Sequence, residues 1–238
     1  MLDAINKDIT KFKELGYVVV TDFLTPEHLK IVQEECSKLT MQGIDRRGDG
    51  QGWIMNAPHN PCKLDGAMRK SNVLKALGSN YWLKSVAQSI LKVEEVDGYI
   101  SKFFPMIPKE GFSVDWHQDN FYIKGNVDKF ISCDVFVDGA SKESGCLRVV
   151  PGSHKELLPH NTASHRVFRW INEDSIDQEP VDIELDEPFA VLFHANLVHG
   201  CYNNTSNRFR NSVAWEYIER SYFPPTHNNF EWQDRVQL

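Results

Sequence analysis

The segment Asp115-Trp116-His117-Gln118-Asp119 reads as extended chain. Residues two apart on a strand project to the same side, so His117 and Asp119 stand together. An imidazole beside a carboxylate can share one cation, or simply one hydrogen bond. Far along the chain, the apolar run Phe189–Phe193 leads through His194 to His199-Gly200. Arg210 follows eleven residues after His199, and Ser212 lies two further on, so on the same strand face. Two imidazoles and one carboxylate, His117, Asp119 and His199, suit a ferrous ion held on one side with three positions open. The same three groups suit a zinc-bound water acting as nucleophile. Arginine offers a planar fork for a carboxylate, and a neighbouring hydroxyl adds a hydrogen bond. In the iron reading, Arg210 and Ser212 grip the far carboxylate of 2-oxoglutarate; the zinc reading leaves both without a task.

The elements that must position these groups fall into two halves. Ile5, Ile9, Phe12 and Leu15 share one helical face with Gly16 as the stop. Thr25-Pro26-Glu27 starts a second helix: a capping hydroxyl, a first-turn proline and an acid at the positive end. Residues 42–66, with Gly43, Gly48, Gly50, Gly52, Pro58 and Pro61, are expected to form a long lid loop without regular structure. Two short helices are expected over 68–92. From Val96 the hydrophobic period falls to two. Strands are expected at Gly98–Phe104, Ser113–His117, Ile131–Val137, Cys146–Val150, Val181–Leu185, Phe189–Phe193 and Asn211–Ile218. Helices followed by antiparallel strands point to a mainly β (α+β) jelly roll backed by N-terminal helices. A single domain over 1–238 is expected: helical support and lid to 95, jelly-roll core over 96–220, then a tail.

The 238 residues carry 26 basic and 33 acidic side chains, a formal charge of −7, which argues against nucleic-acid or anionic-membrane partners. No apolar run reaches a membrane span, and no leader is visible, so a cytoplasmic location is expected. Five cysteines without a CxxC pair fit a reducing compartment.

Between the two histidine segments lies Gly145-Cys146-Leu147-Arg148-Val149-Val150-Pro151-Gly152-Ser153-His154. This stretch resembles the GCL-x-V-x-PGSH signature of the phytanoyl-CoA dioxygenase family, and the order of His-x-Asp, PGSH, His-Gly and arginine resembles that family over about residues 10–220. The resemblance implies a double-stranded β-helix of the cupin-like type and an iron(II)- and 2-oxoglutarate-dependent dioxygenase consuming O2. It also implies His117, Asp119 and His199 as ligands, and Arg210 as cosubstrate anchor. Lys102, on the preceding strand, falls where members place a polar cosubstrate contact. Cys201 occupies a position where members often carry serine or threonine, which shifts that contact toward Ser212. His154 and His194 are expected to be structural, and Trp116 and Phe193 to be walls of the core.

The expected reaction is hydroxylation of an unactivated C–H bond, with release of succinate and CO2. Oxidative cyclisation, desaturation or epimerisation by the same oxidant, a zinc hydrolase or lyase, and a non-catalytic jelly-roll binding module stand as alternatives. Trp53 and Met55 on the first loop, and Arg166, Arg169 and Trp170 on a second connection at 155–180, are the substrate candidates. Cations and aromatics on both loops point to a small molecule bearing a carboxylate or phosphate. The tail segment Tyr222-Phe223-Pro224-Pro225 with Trp232 is expected to close the pocket or to bury a dimer contact, in a monomer or homodimer.

Overall fold

The computed structural model describes residues 2–46, 52–162, 169–229 and 233–238. Helix α1 (Leu2–Leu15) ends at Gly16, whose φ of 85° lets the chain reverse into β1 (Tyr17–Val20). Helix α2 (Pro26–Arg46) starts where expected, with Thr25 Oγ1 accepting the His28 amide at 3.3 Å. Its buried Val32, Cys36 and Leu39 form the stripe that meets the β-structure.

The expected lid loop is instead an edge hairpin, β2 (Trp53–Ala57) and β3 (Asn60–Asp65). Ala57 pairs Asn60, so Pro58-His59 is a two-residue turn with His59 at φ 64°. Pro61 sits at a register shift opposite Met55, where a missing N–H costs no ladder bond. Gly43 is not a breaker either. It lies inside α2, where an added Cβ would come within 2.8 Å of the Trp53 ring, so the glycine lets the hairpin pack on the helix. Residues 47–51 of the expected loop lie outside the described residues.

Three helices rather than two follow: α3 (Ala67–Lys70), α4 (Asn72–Gly78) and α5 (Tyr81–Leu91). Ser71 and Asn80 cap the last two through their side-chain oxygens.

The strands are β4 (Val96–Met106), β5 (Val114–His117), β6 (Phe130–Phe136), β7 (Leu147–Val149), β8 (Val181–Ile183), β9 (Phe189–Phe193), β10 (His199–Cys201), β11 (Arg210–Glu219) and β12 (Arg235–Gln237), with the short α6 (Asn120–Ile123) after β5. All strand pairings are antiparallel. The large sheet runs β1-β9-β6-β11-β4-β3-β2, with β12 also on β4, and the small sheet runs β5-β10-β7-β8. This is the expected jelly roll. The tail adds β12 to β4, with Asp97 on β4 bonding both Arg220 and Arg235 at 2.9 Å. Trp232 lies outside the described residues.

Alternation on the large sheet divides the core. Cys133, Val135, Val213, Trp215 and Tyr217 pack with the helices on one face. Their neighbours Ser132, Asp134, Ser212, Ala214 and Glu216 line a cavity on the other face. Among the described residues, no helix is long and apolar enough to cross a membrane.

Candidate active site

The cavity has a volume of about 440 Å³. Its far side is the small sheet, where His117 closes β5 and His199 opens β10. The two residues are direct cross-strand partners with ring centroids 4.1 Å apart. Gly200 permits this pairing: a Cβ there would lie 2.7 Å from the Val114 carbonyl oxygen.

Asp119 arrives differently from the sequence expectation. The strand stops at His117, and Asp119 has helical angles at the entry to α6. The turn between them is fixed by fully buried Gln118. Its amide nitrogen donates to the carbonyls of Glu156 and Asn196, and its Oε1 accepts the Leu158 amide.

The result is one cluster. Asp119 Oδ1 lies 3.8 Å from His117 Nε2, and Oδ2 lies 3.8 Å from His199 Nε2. One donor atom from each residue falls within 4.8 Å of the other two, so these three groups could hold a metal ion. Each imidazole is set by its other nitrogen: His117 Nδ1 faces the Asp115 carbonyl at 2.9 Å, and His199 Nδ1 faces the Leu197 carbonyl at 3.0 Å. Those carbonyls can only accept, which places the proton on Nδ1 and leaves the Nε2 lone pairs turned to Asp119. The Ser132 hydroxyl donates to Asp119 Oδ2 at 2.7 Å and orients the carboxylate.

The electrostatics suit cation binding. Burial, reinforced by neighbouring His199, pulls His117 down to about 3 and keeps it neutral. Burial alone would raise Asp119. Electrostatic attraction from His199, Lys102 and His117, with the Ser132 bond, outweighs it and holds the carboxylate below its usual range. Both are the forms a divalent metal requires.

Arg210 stands at the start of β11 on the large sheet, 3% exposed. Its Nη1 donates to Ser212 Oγ at 2.6 Å, and its guanidinium lies 5.2 Å over the Phe136 ring. Its Nε is buried with no partner, and among the described residues no carboxylate pairs with it. A buried cation short of an anion fits a ligand carboxylate. Cys201 also lines the cavity, and its sulfur accepts the Val114 amide at 3.3 Å.

Lys102 lines the same cavity and pairs with Glu216 at 3.6 Å. Burial would lower this lysine, but Glu216, Asp119 and Asp134 raise it above its normal range. Burial in turn pushes Glu216 up to about 8, against the pull of Lys102, and Asp134 up to about 6.

The substrate candidates divide. Arg169 lines the cavity. Trp53 faces the helices instead, packed edge-on to Phe103 with centroids 6.3 Å apart, and Met55 lies on the same side of the hairpin. The residue between them, Ile54, is the one that reaches the cavity. Trp170 does not line this cavity; it pairs with Asn161 and borders a separate depression near Trp116. Arg166 lies outside the described residues. His154 and His194 pack together away from the cavity as expected, with rings 5.1 Å apart, and Phe193 lies against the His199 ring.

Sequence reading missed Ser132, Asp134, Glu216 and Tyr122. The first three follow from alternation on strands whose opposite face is apolar. Tyr122 follows only from the α6 turn.

A family model described as phytanoyl-CoA dioxygenase (PhyH) matches residues 12–212. Phytanoyl-CoA dioxygenase 1 of Oryza sativa subsp. japonica is 24% identical over 87% of this chain and 86% of its own length. A probable alpha-ketoglutarate-dependent hypophosphite dioxygenase of Stutzerimonas stutzeri is 20% identical over 90% and 78%. The match to the phytanoyl-CoA dioxygenase domain-containing protein 1 homolog of Caenorhabditis briggsae is 27% identical over 52% of this chain and spans 45% of that relative, about half its length. Among solved structures, the non-heme alpha ketoglutarate dependent epimerase SnoN from nogalamycin biosynthesis superposes with a TM-score of 0.74 at 18% identity, over 95% of this chain and 88% of that one. EctD from S. alaskensis superposes with a TM-score of 0.75 at 19% identity, over 90% and 76%. These two share the fold.

Proposed function

Because this chain belongs to the phytanoyl-CoA dioxygenase (PhyH) family, we propose that it is an iron(II)- and 2-oxoglutarate-dependent oxygenase acting on a small metabolite that bears a carboxylate or phosphate. The substrate R–H, O2 and 2-oxoglutarate become R–OH, succinate and CO2. The observation that carries this reading is the buried Arg210 guanidinium, without an acidic partner among the described residues, in the same cavity as His117, Asp119 and His199. A zinc hydrolase would give that arginine nothing to hold.

Iron(II), with 2-oxoglutarate and O2, supplies the oxidation of a C–H bond coupled to loss of CO2 from the oxo acid. The chain does the rest. His117, Asp119 and His199 hold the metal from one side, with Ser132 fixing the carboxylate and two backbone carbonyls fixing the rings. Arg210 and Ser212 grip the far carboxylate of the cosubstrate, with Lys102 and Cys201 as further contacts along the cavity. Phe104, Phe136 and Met106 wall the cavity and exclude water, which strengthens each of these interactions. Arg169 is the described cation left to receive the acidic group of the substrate. Trp53, Met55 and Trp170 no longer have this role.

We propose a cytoplasmic location, a reading supported by five cysteines that form no disulfide, and a monomer or homodimer.

The test is anaerobic addition of 2-oxoglutarate to the iron(II) protein. Chelation of the oxo acid gives a visible charge-transfer band; its absence, with metal bound, overturns the proposal.

A further inference from the structure

Resting on the oxygenase reading, the charges of the cavity can be paired one by one. In that reading the metal takes Asp119, and the far carboxylate of 2-oxoglutarate takes Arg210. Glu216 is matched by Lys102 at 3.6 Å, and Asp65 by Lys63 at 2.9 Å. Two lining residues remain with no ion pair or side-chain hydrogen bond among the described residues: Asp134, an acid, and Arg169, a base.

Both are fixed in place. Asp134 lies on β6 between Ser132 and Phe136 on the cavity face, directly opposite Ala214, whose small side chain leaves room above the carboxylate. Arg169 is strapped to the metal side: its amide donates to the Tyr122 hydroxyl at 2.8 Å, and the Ile171 amide two residues on donates to the Trp116 carbonyl at 2.7 Å. Tyr122 itself lies edge-on to His117, with centroids 6.4 Å apart. A half-buried anion and a half-buried cation in one cavity, neither in a direct ion pair or side-chain hydrogen bond among the described residues, are both costly unless a ligand supplies the opposite charge.

We infer that the substrate is a zwitterion, an amino acid or close relative, whose ammonium is received by Asp134 and whose carboxylate is received by Arg169. A purely anionic metabolite would leave Asp134 unmatched and repelling, and a neutral lipid would strand both charges. Asp134 and Arg169 are thus specificity-determining residues, separate from those that hold metal and cosubstrate.

The test uses the full chain loaded anaerobically with iron(II) and 2-oxoglutarate. It is titrated with a panel of free α-, β- and cyclic amino acids, each beside its N-acetyl and its methyl-ester derivative. Binding is read by calorimetry and by the shift of the charge-transfer band. At least one free amino acid is expected to bind ten-fold or more tightly than either of its blocked forms. Asp134→Asn is expected to erase the discrimination against the N-acetyl form, and Arg169→Gln that against the methyl ester. This crossed pattern is one that a structural defect would not produce. If no free amino acid binds, or if blocked forms bind equally well, the inference is overturned while the oxygenase reading stands. If the band never forms with 2-oxoglutarate, the oxygenase reading itself fails.

Discussion

His117 and His199 are separated by 81 intervening residues yet face each other directly across two antiparallel strands, with ring centroids 4.1 Å apart. Asp119 closes the triangle at 3.8 Å from each. Together the three groups could hold one metal ion. His117→Ala, Asp119→Ala and His199→Ala are each expected to abolish the 2-oxoglutarate charge-transfer band and succinate release. Full turnover by any one of them would refute its assignment as a ligand.

Ser132 hydrogen-bonds Asp119 of the triangle, so its loss leaves all three groups present and the carboxylate loosely aimed. Ser132→Ala is expected to lower metal affinity or activity about 10–100-fold, as outer contacts to ligands usually do. Calorimetry with manganese as a redox-silent substitute reads the affinity directly. An unchanged dissociation constant would remove Ser132 from the site.

Arg210→Lys keeps the charge and loses the planar fork. Charge-assisted hydrogen bonds contribute about 1.5–3 kcal/mol, so the KM for 2-oxoglutarate is expected to rise about 10–100-fold, with smaller change at saturation. Steady-state succinate formation against cosubstrate concentration gives the number. A KM that does not move would place the cosubstrate elsewhere.

Acid should weaken the fold at a place remote from the cavity. Burial beneath α1, near Phe12 and His154, brings His194 down to about 4 from the usual 6.5. As pH falls, the unfolded chain takes this proton first, so stability is complete above about 6.5 and declines toward 4. The loss is on the order of 2–3 kcal/mol across that window. Thermal unfolding between pH 7 and 4.5 measures it, and His194→Gln is expected to flatten the slope.

Gly200→Ala would drive a methyl group to within 2.7 Å of the Val114 carbonyl, backbone that cannot step aside. Overpacking of this kind costs about 1–3 kcal/mol, and here it also spreads the two histidine strands. Lowered thermal stability together with weakened metal binding is expected. Loss of stability with unaltered metal affinity would show that the strands do not set the site.

Much of this site is legible in the sequence. Phe189–Phe193 reads as a strand because five apolar residues bounded by Pro188 and His194 have no other economical arrangement. The ligand triad and Arg210 stand out because their residue types are few and chemically distinctive. The hairpin at Trp53–Asp65 was lost because local rules take Gly43 and Pro58 as interruptions. In fact, one is a gap that Trp53 fills, and the other starts a two-residue turn. Without the hairpin its parity is hidden, so the sequence points to Trp53 and Met55 where Ile54 stands. Asp119 was placed by strand alternation, yet it is delivered by a helical turn that Gln118 pins from sites distant in the chain. Such contacts have no signature in a single sequence.

The proposed metal ligands and Arg210 belong to opposite leaves of the jelly roll: two histidines on the four-stranded leaf, the guanidinium on the eight-stranded one. A molecule clasped at both ends therefore acts as a rivet through the sandwich. In the proposed reaction the oxo acid is consumed in each cycle, so the protein would repeatedly lose and regain a part of what clamps its own halves together.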